Sequence, residues 1–323
     1  MSKILVLHTG GTIAMEENGK SGAVSPGERN PLNATLSDLI HDVDIIVDDF
    51  INIPSPHMSP ELMFNIAERI ENRIKKEHIS GVVVTHGTDT LEETAYLLDL
   101  ILQTDLPVVM TGAMRSSNEI GSDGPYNLIS SLKVACCEEA KGKGVLVVLN
   151  DEIHTAKNVT KTHTSNVSTF QSPQYGPIGI VTKQRVHFHH TLTNRDRYHI
   201  SKLSKKVMLL KAYAGMDSQL LLAAGELGIN GIVIEALGQG NLPPETIEGI
   251  KQLRKKGIAV VMVSRCFNGI VQDVYGYEGG GKHLKELGVV FSNGLNGQKA
   301  RLKLLVALEA TEDIKELQQL FLR

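Results

Sequence analysis

Short apolar runs alternate with longer amphipathic segments along most of the chain. Runs typical of buried strands are KILVL, DIIVDDF, GVVVTH, PVVMTG, GVLVVLN, KVMLLKA, GIVIEA and GIAVVMV. Between them, segment 60–77 places apolar residues at helical spacing with charges on the opposite face, and segments 89–103 and 127–140 show the same period. Strands that alternate with helices predict an α/β fold built on parallel sheets.

Two segments break this alternation and indicate the domain organisation. Residues 175–190, YGPIGIVTKQRVHFHH, predict a short hairpin, and residues 191–206, TLTNRDRYHISKLSKK, are polar and charged as in a linker. We therefore predict a larger N-terminal α/β domain over residues 1–190 and a smaller C-terminal α/β domain over residues 207–323, joined by the linker 191–206. A chain of 323 residues is long enough for two domains with separate cores.

The composition argues against several classes of protein. A formal net charge of -3 gives no basic footprint for nucleic acid, and 4% aromatic residues without tryptophan argue against base stacking. No apolar run approaches a membrane span and no signal-peptide pattern precedes the first strand, so we expect a cytoplasmic protein that binds neither nucleic acid nor membranes. The odd number of cysteines, Cys136, Cys137 and Cys266, favours small core residues in a reducing compartment over a redox role.

The first strand runs into a glycine-rich segment, LVLHTGGTIAMEENGKSGAVSPG. Ile4–Leu7 has the pattern of a buried strand, and Gly10, Gly11 and Thr12 follow it. A phosphate-binding turn would begin a helix here, but glycines and a proline predict a loop of about fifteen residues instead. We interpret the strand as presenting Thr12 at the edge of the sheet, and the loop as a flap beside it.

Candidate catalytic residues follow the other predicted strands. Ligands of open α/β sheets bind beyond the carboxyl ends of the strands, where HGTDT supplies Thr88 and Asp89, and VTKT supplies Lys161. A threonine hydroxyl is a weak nucleophile until a base takes its proton, and a partly desolvated lysine can be that base, with Asp89 holding the lysine or a ligand ammonium. Glycines whose amides can approach a developing oxyanion are Gly10, Gly11 and Gly87. These parts suit acyl transfer without a metal or other cofactor.

Each of these residues also has a plain structural interpretation. GGT after a strand is often a mere turn, Thr88 or Asp89 can cap the helix that follows, and an isolated lysine such as Lys161 is usually solvated. The HFHH segment suggests a metal site because His187 and His189 share one strand face. No third ligand accompanies them, so we favour a solvated hairpin.

Several motifs in register resemble one family. TGGTIA, THGTDTLEETAY, TGAMRSSNEIGSDGPYN and VTKTHTSNVSTFQSPQYGPIG together are similar to the bacterial L-asparaginases of the asparaginase/glutaminase family, and NGQKARLKLLVAL extends the likeness over the whole chain. The resemblance implies subunits with a flavodoxin-like parallel sheet in the larger domain, assembled as a homotetramer that is a dimer of dimers. It also implies hydrolysis of L-asparagine to L-aspartate and ammonia without a cofactor, by an enzyme of the cytoplasmic type I branch rather than the secreted type II branch.

The resemblance also implies roles for single residues. Thr12 matches the family nucleophile, while Thr88, Asp89 and Lys161 match the second catalytic group, with Asp89 also binding the substrate ammonium. The serine of NIPSPHMSPE matches the residue that binds the α-carboxylate, and the alanine of TGAM matches one whose backbone meets the substrate amide. The predicted substrate-binding set is Gly11, Ser55, Gly87, Thr88, Asp89, Ala113 and Tyr275.

The chain departs from the type II pattern at a few positions. The flap has no tyrosine to assist the nucleophile, Pro56 replaces a glutamine, and Tyr275 in QDVYGYEGGG stands where a neighbouring subunit would contribute an acid. We therefore expect Tyr275 to reach across the subunit interface, with Glu278 as the other candidate for the missing acid. The plain alternative is that Tyr275 packs beside Tyr277.

Other functions remain open at this point. A glutamine-preferring enzyme and a subunit of a tRNA-dependent amidotransferase share the fold, and a catalytically silent amino-acid-binding paralogue shares the pocket. The amidotransferase would need an additional RNA-associated module, and the joint presence of Thr12, Thr88, Asp89 and Lys161 argues against a silent paralogue. One methylene is worth only about 1–3 kcal/mol in a pocket, so the sequence does not decide between asparagine and glutamine.

Overall fold

The computed structural model describes residues 2–19, 21–26, 31–32 and 43–322. The chain divides into two compact units, Met1–Arg197 and Tyr198–Arg323. The division falls inside the predicted linker 191–206, where the structure has neither helix nor strand. The predicted limits of the two domains, 1–190 and 207–323, stay a prediction.

The strands of the first unit, in the part that the structure describes, are β1 (Ser2–Gly10), β2 (Met15–Glu17), β3 (Val24–Pro26), β4 (Val43–Ile53), β5 (Gly81–Thr85), β6 (Val108–Thr111), β7 (Val145–Leu149), β8 (Glu152–Thr155), β9 (Thr160–Lys161), β10 (Phe170–Gln171), β11 (Gly179–Val181) and β12 (Val186–Phe188). Eight of them form one sheet, in the order β12-β11-β8-β7-β6-β5-β1-β4. The other four form two separate pairs, β2 with β3 and β9 with β10.

The large sheet is mixed rather than wholly parallel. Strands β4, β1, β5, β6 and β7 are parallel neighbours, which is the strand order of flavodoxin-like folds once the β2–β3 excursion is set aside. From β8 onward the pairing is antiparallel. The reason lies in the two-residue connection after β7, where Asn150 and Asp151 have φ of 50° and 64°. Positive φ at both central residues makes a tight hairpin turn and leaves no room for a crossover helix.

Three α-helices in the described part of the first unit lie at the predicted segments. Helix α1 (Pro60–Glu77) has the predicted limits, α2 (Leu91–Ile101) is shorter than segment 89–103, and α3 (Gly124–Ala135) begins and ends earlier than segment 127–140. Helix α2 is buried on nearly all sides, and α3 packs Leu128 and Leu132 into a core shared with Ile4, Val83 and Val109. The prediction for the cysteines was only partly right. Cys136 and Cys137 lie just beyond α3 and pack against this core while half-buried, whereas Cys266 is exposed.

The second unit is a smaller α/β unit with its own core. Its strands β13 (Val207–Lys211), β14 (Gly231–Ala236), β15 (Ala259–Ser264) and β16 (Val290–Phe291) form a parallel sheet in chain order. Its helices are α4 (Gln219–Ala224), α5 (Ile247–Lys255), α6 (Gly281–Glu286), α7 (Gly297–Ala310) and α8 (Ile314–Leu322). The two-unit α/β class predicted from the sequence is confirmed.

The hairpin predicted over residues 175–190 is present as β11 and β12, with Ile180 opposite His187. His187 and His189 are exposed, and no three or more His, Cys, Asp or Glu side chains among the described residues are grouped to hold a metal ion. Within residues 2–322, apart from the undescribed gaps, no helix is long and apolar enough to cross a membrane.

Candidate active site

The sheet topology brings the predicted site residues to one edge. The chain adds β4 on one side of β1 and β5 on the other, so the crevice between β1 and β5 is the switch point of the sheet. Ligands of open α/β sheets bind at such a point, outside the carboxyl ends of the strands. Thr12 follows β1, Thr88 and Asp89 follow β5, and Ser55 follows β4, so four predicted residues surround this crevice.

Thr12 is delivered by a sharp turn made of two glycines. Gly10 and Gly11 have φ of 98° and 84°, which glycine adopts without strain. A Cβ at Gly11 would lie 2.2 Å from the Cα of Gly87, so the ends of β1 and β5 approach each other too closely for any side chain. The turn leads into a single 3-10 turn, Thr12–Ala14, in which Thr12 is partly buried.

The segment after Thr12 is more ordered than a loop. Met15–Glu17 pairs antiparallel with Val24–Pro26, so the described part of the flap is a short hairpin. Gly27 lies outside the described residues. The prediction of a loop was wrong for β2 and β3. Two strands of three residues each, rich in polar side chains, show no apolar alternation that the sequence pattern could have indicated.

Ser55 is held against the turn that follows β5. A Cβ at Gly87 would lie 2.7 Å from the Oγ of Ser55, so this glycine also allows a close approach. The amide of Asp89 donates to the Oγ of Ser55 over 3.2 Å, and the hydroxyl of Thr90 donates to the Ser55 carbonyl over 2.8 Å. Ser55 therefore has its hydroxyl oxygen fixed at the base of the crevice while it is itself buried.

Lys161 joins Thr88 and Asp89 in one cluster. Its Nζ donates to the Oγ1 of Thr88 over 3.0 Å and to the Oδ1 of Asp89 over 2.7 Å. The Lys161 side chain is 17% exposed and that of Asp89 is 58% exposed, so the pair lies at the mouth of the crevice. The plain interpretations do not describe these residues: Lys161 is not a solvated surface lysine, and Thr90 rather than Thr88 or Asp89 occupies the N-cap of α2.

Ala113 reaches the site through the turn after β6. A Cβ at Gly124 would lie 3.4 Å from the Cβ of Ala113 and 3.0 Å from the Cγ1 of Ile13, so Ala113 lies close to the residue that follows Thr12. The carboxylate of Asp123 accepts the amide of Met114 over 3.1 Å and that of Arg115 over 3.0 Å. Asp123 therefore fixes the turn that presents Ala113.

Glu92 positions Lys161 and was missed by sequence reasoning. Its buried carboxylate accepts the Thr160 hydroxyl over 3.0 Å and the Lys161 amide over 3.2 Å, both on Oε1. These bonds tie β9 to the first turn of α2, where a carboxylate also interacts favourably with the helix dipole. In the sequence Glu92 is one of two adjacent glutamates at a helix start, and nothing local distinguishes it from Glu93.

The buried side chain of His86 fixes the peptide of Gly87 by a hydrogen bond to its carbonyl oxygen. It is fully buried, with Nδ1 2.7 Å from the Gly87 carbonyl oxygen and Nε2 2.9 Å from the Thr94 hydroxyl. Burial lowers the pKa of His86 to about 4, against the opposing effect of the Gly87 carbonyl. In the neutral ring, Nδ1 donates to that carbonyl and Nε2 accepts the Thr94 hydroxyl, so His86 supports the Gly87 peptide through two buried hydrogen bonds.

Two predicted binding residues are placed differently from the rest. The amide of Gly11 donates to the carbonyl of Ile53 over 3.1 Å, so this amide belongs to the β1–β4 pairing and not to an oxyanion site. Tyr275 lies in the second unit, where its exposed ring is 5.6 Å from that of Tyr277. Packing beside Tyr277, the plain alternative for Tyr275, is what its own unit shows.

The fold and site together define a class of protein. A two-unit α/β chain presents a threonine at the switch point of its larger sheet, beside a threonine–lysine–aspartate cluster and a buried serine. Nucleophilic acyl transfer uses side chains of these types, namely hydroxyls, a lysine and a carboxylate, grouped at one edge of a sheet.

The chain belongs to the asparaginase family. Residues 3–194 match the model of the asparaginase N-terminal domain, and residues 206–321 match that of the glutaminase/asparaginase C-terminal domain. The chain is 38% identical over 325 residues to a probable L-asparaginase of Deinococcus radiodurans, covering 99% of this chain and 97% of that one. It is 36% identical over 332 residues to L-asparaginase 2 of Bacillus subtilis, covering 99% of this chain and 86% of that one.

A solved structure agrees with this family over the full length. The probable cytoplasmic L-asparaginase from Campylobacter jejuni superposes with a TM-score of 0.89 at 37% identity, and the match covers 100% of both chains.

Proposed function

We propose that this protein is an amidohydrolase that converts L-asparagine to L-aspartate and ammonia, with Thr12 as the nucleophile. The observation that carries the proposal is the Nζ of Lys161, which bridges Thr88 and Asp89 at the same crevice that receives Thr12. The names of the relatives in Deinococcus radiodurans, Bacillus subtilis and Campylobacter jejuni support asparagine as the substrate.

The reaction proceeds through a covalent acyl-enzyme in two steps. In the first, the Thr12 hydroxyl oxygen forms a bond to the side-chain amide carbon, its proton passes to the amide nitrogen, and the carbon–nitrogen bond breaks to release ammonia. In the second, a water oxygen bonds to the ester carbon, and one water proton passes by way of Thr88 to Lys161 in its neutral form. The bond between the ester carbon and the Thr12 oxygen then breaks, that proton returns to the Thr12 oxygen, and aspartate is released. The competing mechanism is direct attack by a water activated through Thr88 and Lys161.

Substrate binding uses groups already fixed around the crevice. Because the Oγ of Ser55 accepts the Asp89 amide, its own hydrogen is directed to a further acceptor, which we propose is the substrate α-carboxylate. The Oδ1 of Asp89 faces Lys161, which leaves its second oxygen for the substrate ammonium. The Ala113 backbone meets the substrate amide, and the amide of Gly87 serves the developing oxyanion.

The assembly and location of the protein follow the family in this proposal. We expect a homotetramer, a dimer of dimers, because the family resemblance implies it. We expect the protein to act in the cytoplasm on a free amino acid, without nucleic-acid or membrane partners. The name of the Campylobacter jejuni relative supports the location, and the net charge of -3 supports the absence of a nucleic-acid partner.

The direct test is ammonia release by the purified protein from L-asparagine and, separately, from L-glutamine. We expect turnover of asparagine with a higher kcat/KM than for glutamine, measured in a coupled ammonia assay. A higher kcat/KM for glutamine would favour the glutamine-preferring alternative. Binding of asparagine by calorimetry without any ammonia release would instead identify a silent amino-acid-binding paralogue.

Tyr275 is proposed to complete the site of a neighbouring copy of the chain. The flap offers no tyrosine, and the Tyr275 ring is 41% exposed in a segment that the family uses to reach its neighbour, so its phenol is available to donate near Thr12 or the substrate ammonium. Glu278 is the other candidate in the same segment.

Thr12→Ala and Tyr275→Phe proteins should each be weakly active alone and recover activity when mixed. In a mixed pair, one site combines the intact Thr12 of one copy with the intact Tyr275 of the other. Full activity of Tyr275→Phe alone would remove Tyr275 from the site.

A further inference from the structure

Strand β2 of the flap is bound on both of its edges. On one edge it pairs with β3, with Glu16 opposite Ser25. On the other edge, the side chain of Asn118 binds both backbone groups of Glu17: the Glu17 amide donates to Oδ1 over 2.8 Å, and Nδ2 donates to the Glu17 carbonyl over 2.8 Å. One carboxamide therefore takes the place of a third strand.

Ser117, next to Asn118, extends this contact to Met15, two residues before Glu17 on β2. The amide and the hydroxyl of Ser117 both donate to the Met15 carbonyl, over 3.0 Å and 2.9 Å. Alternate residues of a strand direct their backbone groups to the same edge, so Met15 and Glu17 present one continuous edge to the loop that follows β6. The contact joins residues that are 101 positions apart in the chain.

The loop that carries Asn118 is itself fixed to the substrate crevice. Its first turn is held by Asp123, which accepts the amides of Met114 and Arg115, and the guanidinium of Arg115 donates to the Gly121 carbonyl over 2.8 Å. This loop begins directly after Ala113. The flap that starts three residues after Thr12 is thus attached to the same rigid turn that presents Ala113 to the site.

We infer that Asn118 is a positioning residue that holds the flap over Thr12 by acting as a strand partner of Glu17. Only a carboxamide supplies one donor and one acceptor at this spacing, so neither aspartate nor an apolar residue can replace it. The inference rests on the proposed function only for its kinetic consequence, because the contact between Asn118 and the flap exists without substrate.

The kinetic consequence separates this role from general destabilisation. If the flap is closed in only a fraction of the molecules, the apparent Kd for substrate equals the intrinsic Kd divided by that fraction. Saturating substrate still shifts the whole population to the closed flap. Loss of Asn118 should therefore raise KM for asparagine about tenfold and leave kcat within about twofold, given the size of two solvent-exposed hydrogen bonds. A structural defect would lower kcat and the amount of folded protein together.

The experiment measures the flap directly by hydrogen exchange. In Asn118→Ala, the amides of residues 15–26 should exchange about tenfold faster than in the wild type, because local opening sets their rate. Asn118→Asp keeps the acceptor for the Glu17 amide but directs a carboxylate oxygen at the Glu17 carbonyl, so it should exchange as fast as the alanine variant. The matched control is Asn65→Ala, which removes an exposed asparagine from α1 and should change neither exchange nor KM.

The outcomes distinguish this inference from the proposed function. Faster flap exchange with a wild type that releases no ammonia from asparagine would leave the role of Asn118 intact and overturn the function. Unchanged exchange of residues 15–26 in Asn118→Ala would overturn the inference whatever the activity. A fall in kcat with KM unchanged would also overturn it, since the flap would then not limit binding.

Discussion

Thr12→Ala is expected to lower kcat for asparagine by a factor on the order of 10⁴ or more, which is the scale of losing a covalent nucleophile. The alanine removes the only hydroxyl that the Gly10–Gly11 turn delivers to the crevice, while the turn itself is fixed by backbone contacts and should persist. Steady-state ammonia release measures the effect. Thr12→Ser is the matched control because it keeps the hydroxyl, and it should retain most of the wild-type activity.

Trapping of the acyl-enzyme tests the nature of that step. A reactive analogue of asparagine that acylates the nucleophile should label the wild type, and peptide mass spectrometry should place the label on Thr12. The Thr12→Ala protein should remain unlabelled under the same conditions. A label on Thr88, or none on either threonine with activity intact, would instead favour direct attack by a water activated through Thr88 and Lys161.

The regular elements were predictable because their signals are local. Segment 60–77 was predicted as a helix, and α1 has these limits. The helical spacing of apolar residues ends at the same positions as the capping residues at its two ends. Ser59 accepts the Leu62 amide over 3.3 Å at the start, and His78 adopts φ of 50° at the end. Each signal lies within a few residues of the boundary that it sets.

The strand ends were predictable as a group, but their geometry was not. The rule that ligands bind at the carboxyl ends of parallel strands was sufficient to choose Thr12, Thr88 and Asp89. The bond between Lys161 and Thr88 spans 73 positions, and no spacing in the sequence predicts its length or its partner. The antiparallel continuation after β7 depends on positive φ at Asn150 and Asp151, a turn that these residue types favour without requiring it.

The polar residues that support the site and the flap could not be predicted from the sequence, because their partners are backbone groups of other segments. Glu92, Asp123 and Asn118 each bind backbone groups of another segment, and two of those segments lie 69 and 101 positions away. A backbone amide or carbonyl is present at every residue, so such a contact leaves no complementary side chain in the partner sequence. Oxygen and amide side chains in an otherwise ordinary helix start or loop are the only trace.

Substitution of Lys161 should lower turnover alone, whereas substitution of Asp89 should lower both turnover and binding. Lys161→Met should lower kcat by a factor of about 10³, in the range of removing a general acid–base group, and leave aspartate binding largely intact. Methionine keeps the unbranched stem in its partly buried place, while Thr88 loses the Nζ that lies 3.0 Å away. Lys251→Met, on the exposed face of α5, is the matched control and should change neither quantity. Kinetics and calorimetric titration with aspartate measure the two effects separately.

Asp89→Ala should weaken binding as well as turnover. Its carboxylate is shared between Lys161 and the proposed substrate ammonium, and loss of a hydrogen bond to a charged group costs about 1.5–3 kcal/mol, or roughly 10- to 100-fold in Kd. It also leaves the Lys161 ammonium, only 17% exposed, without its acid. The contrast between the variants carries the argument, because a group that moves a proton and a group that holds an ammonium fail in different measurements. Equal losses of aspartate affinity in Lys161→Met and Asp89→Ala would contradict this division of roles.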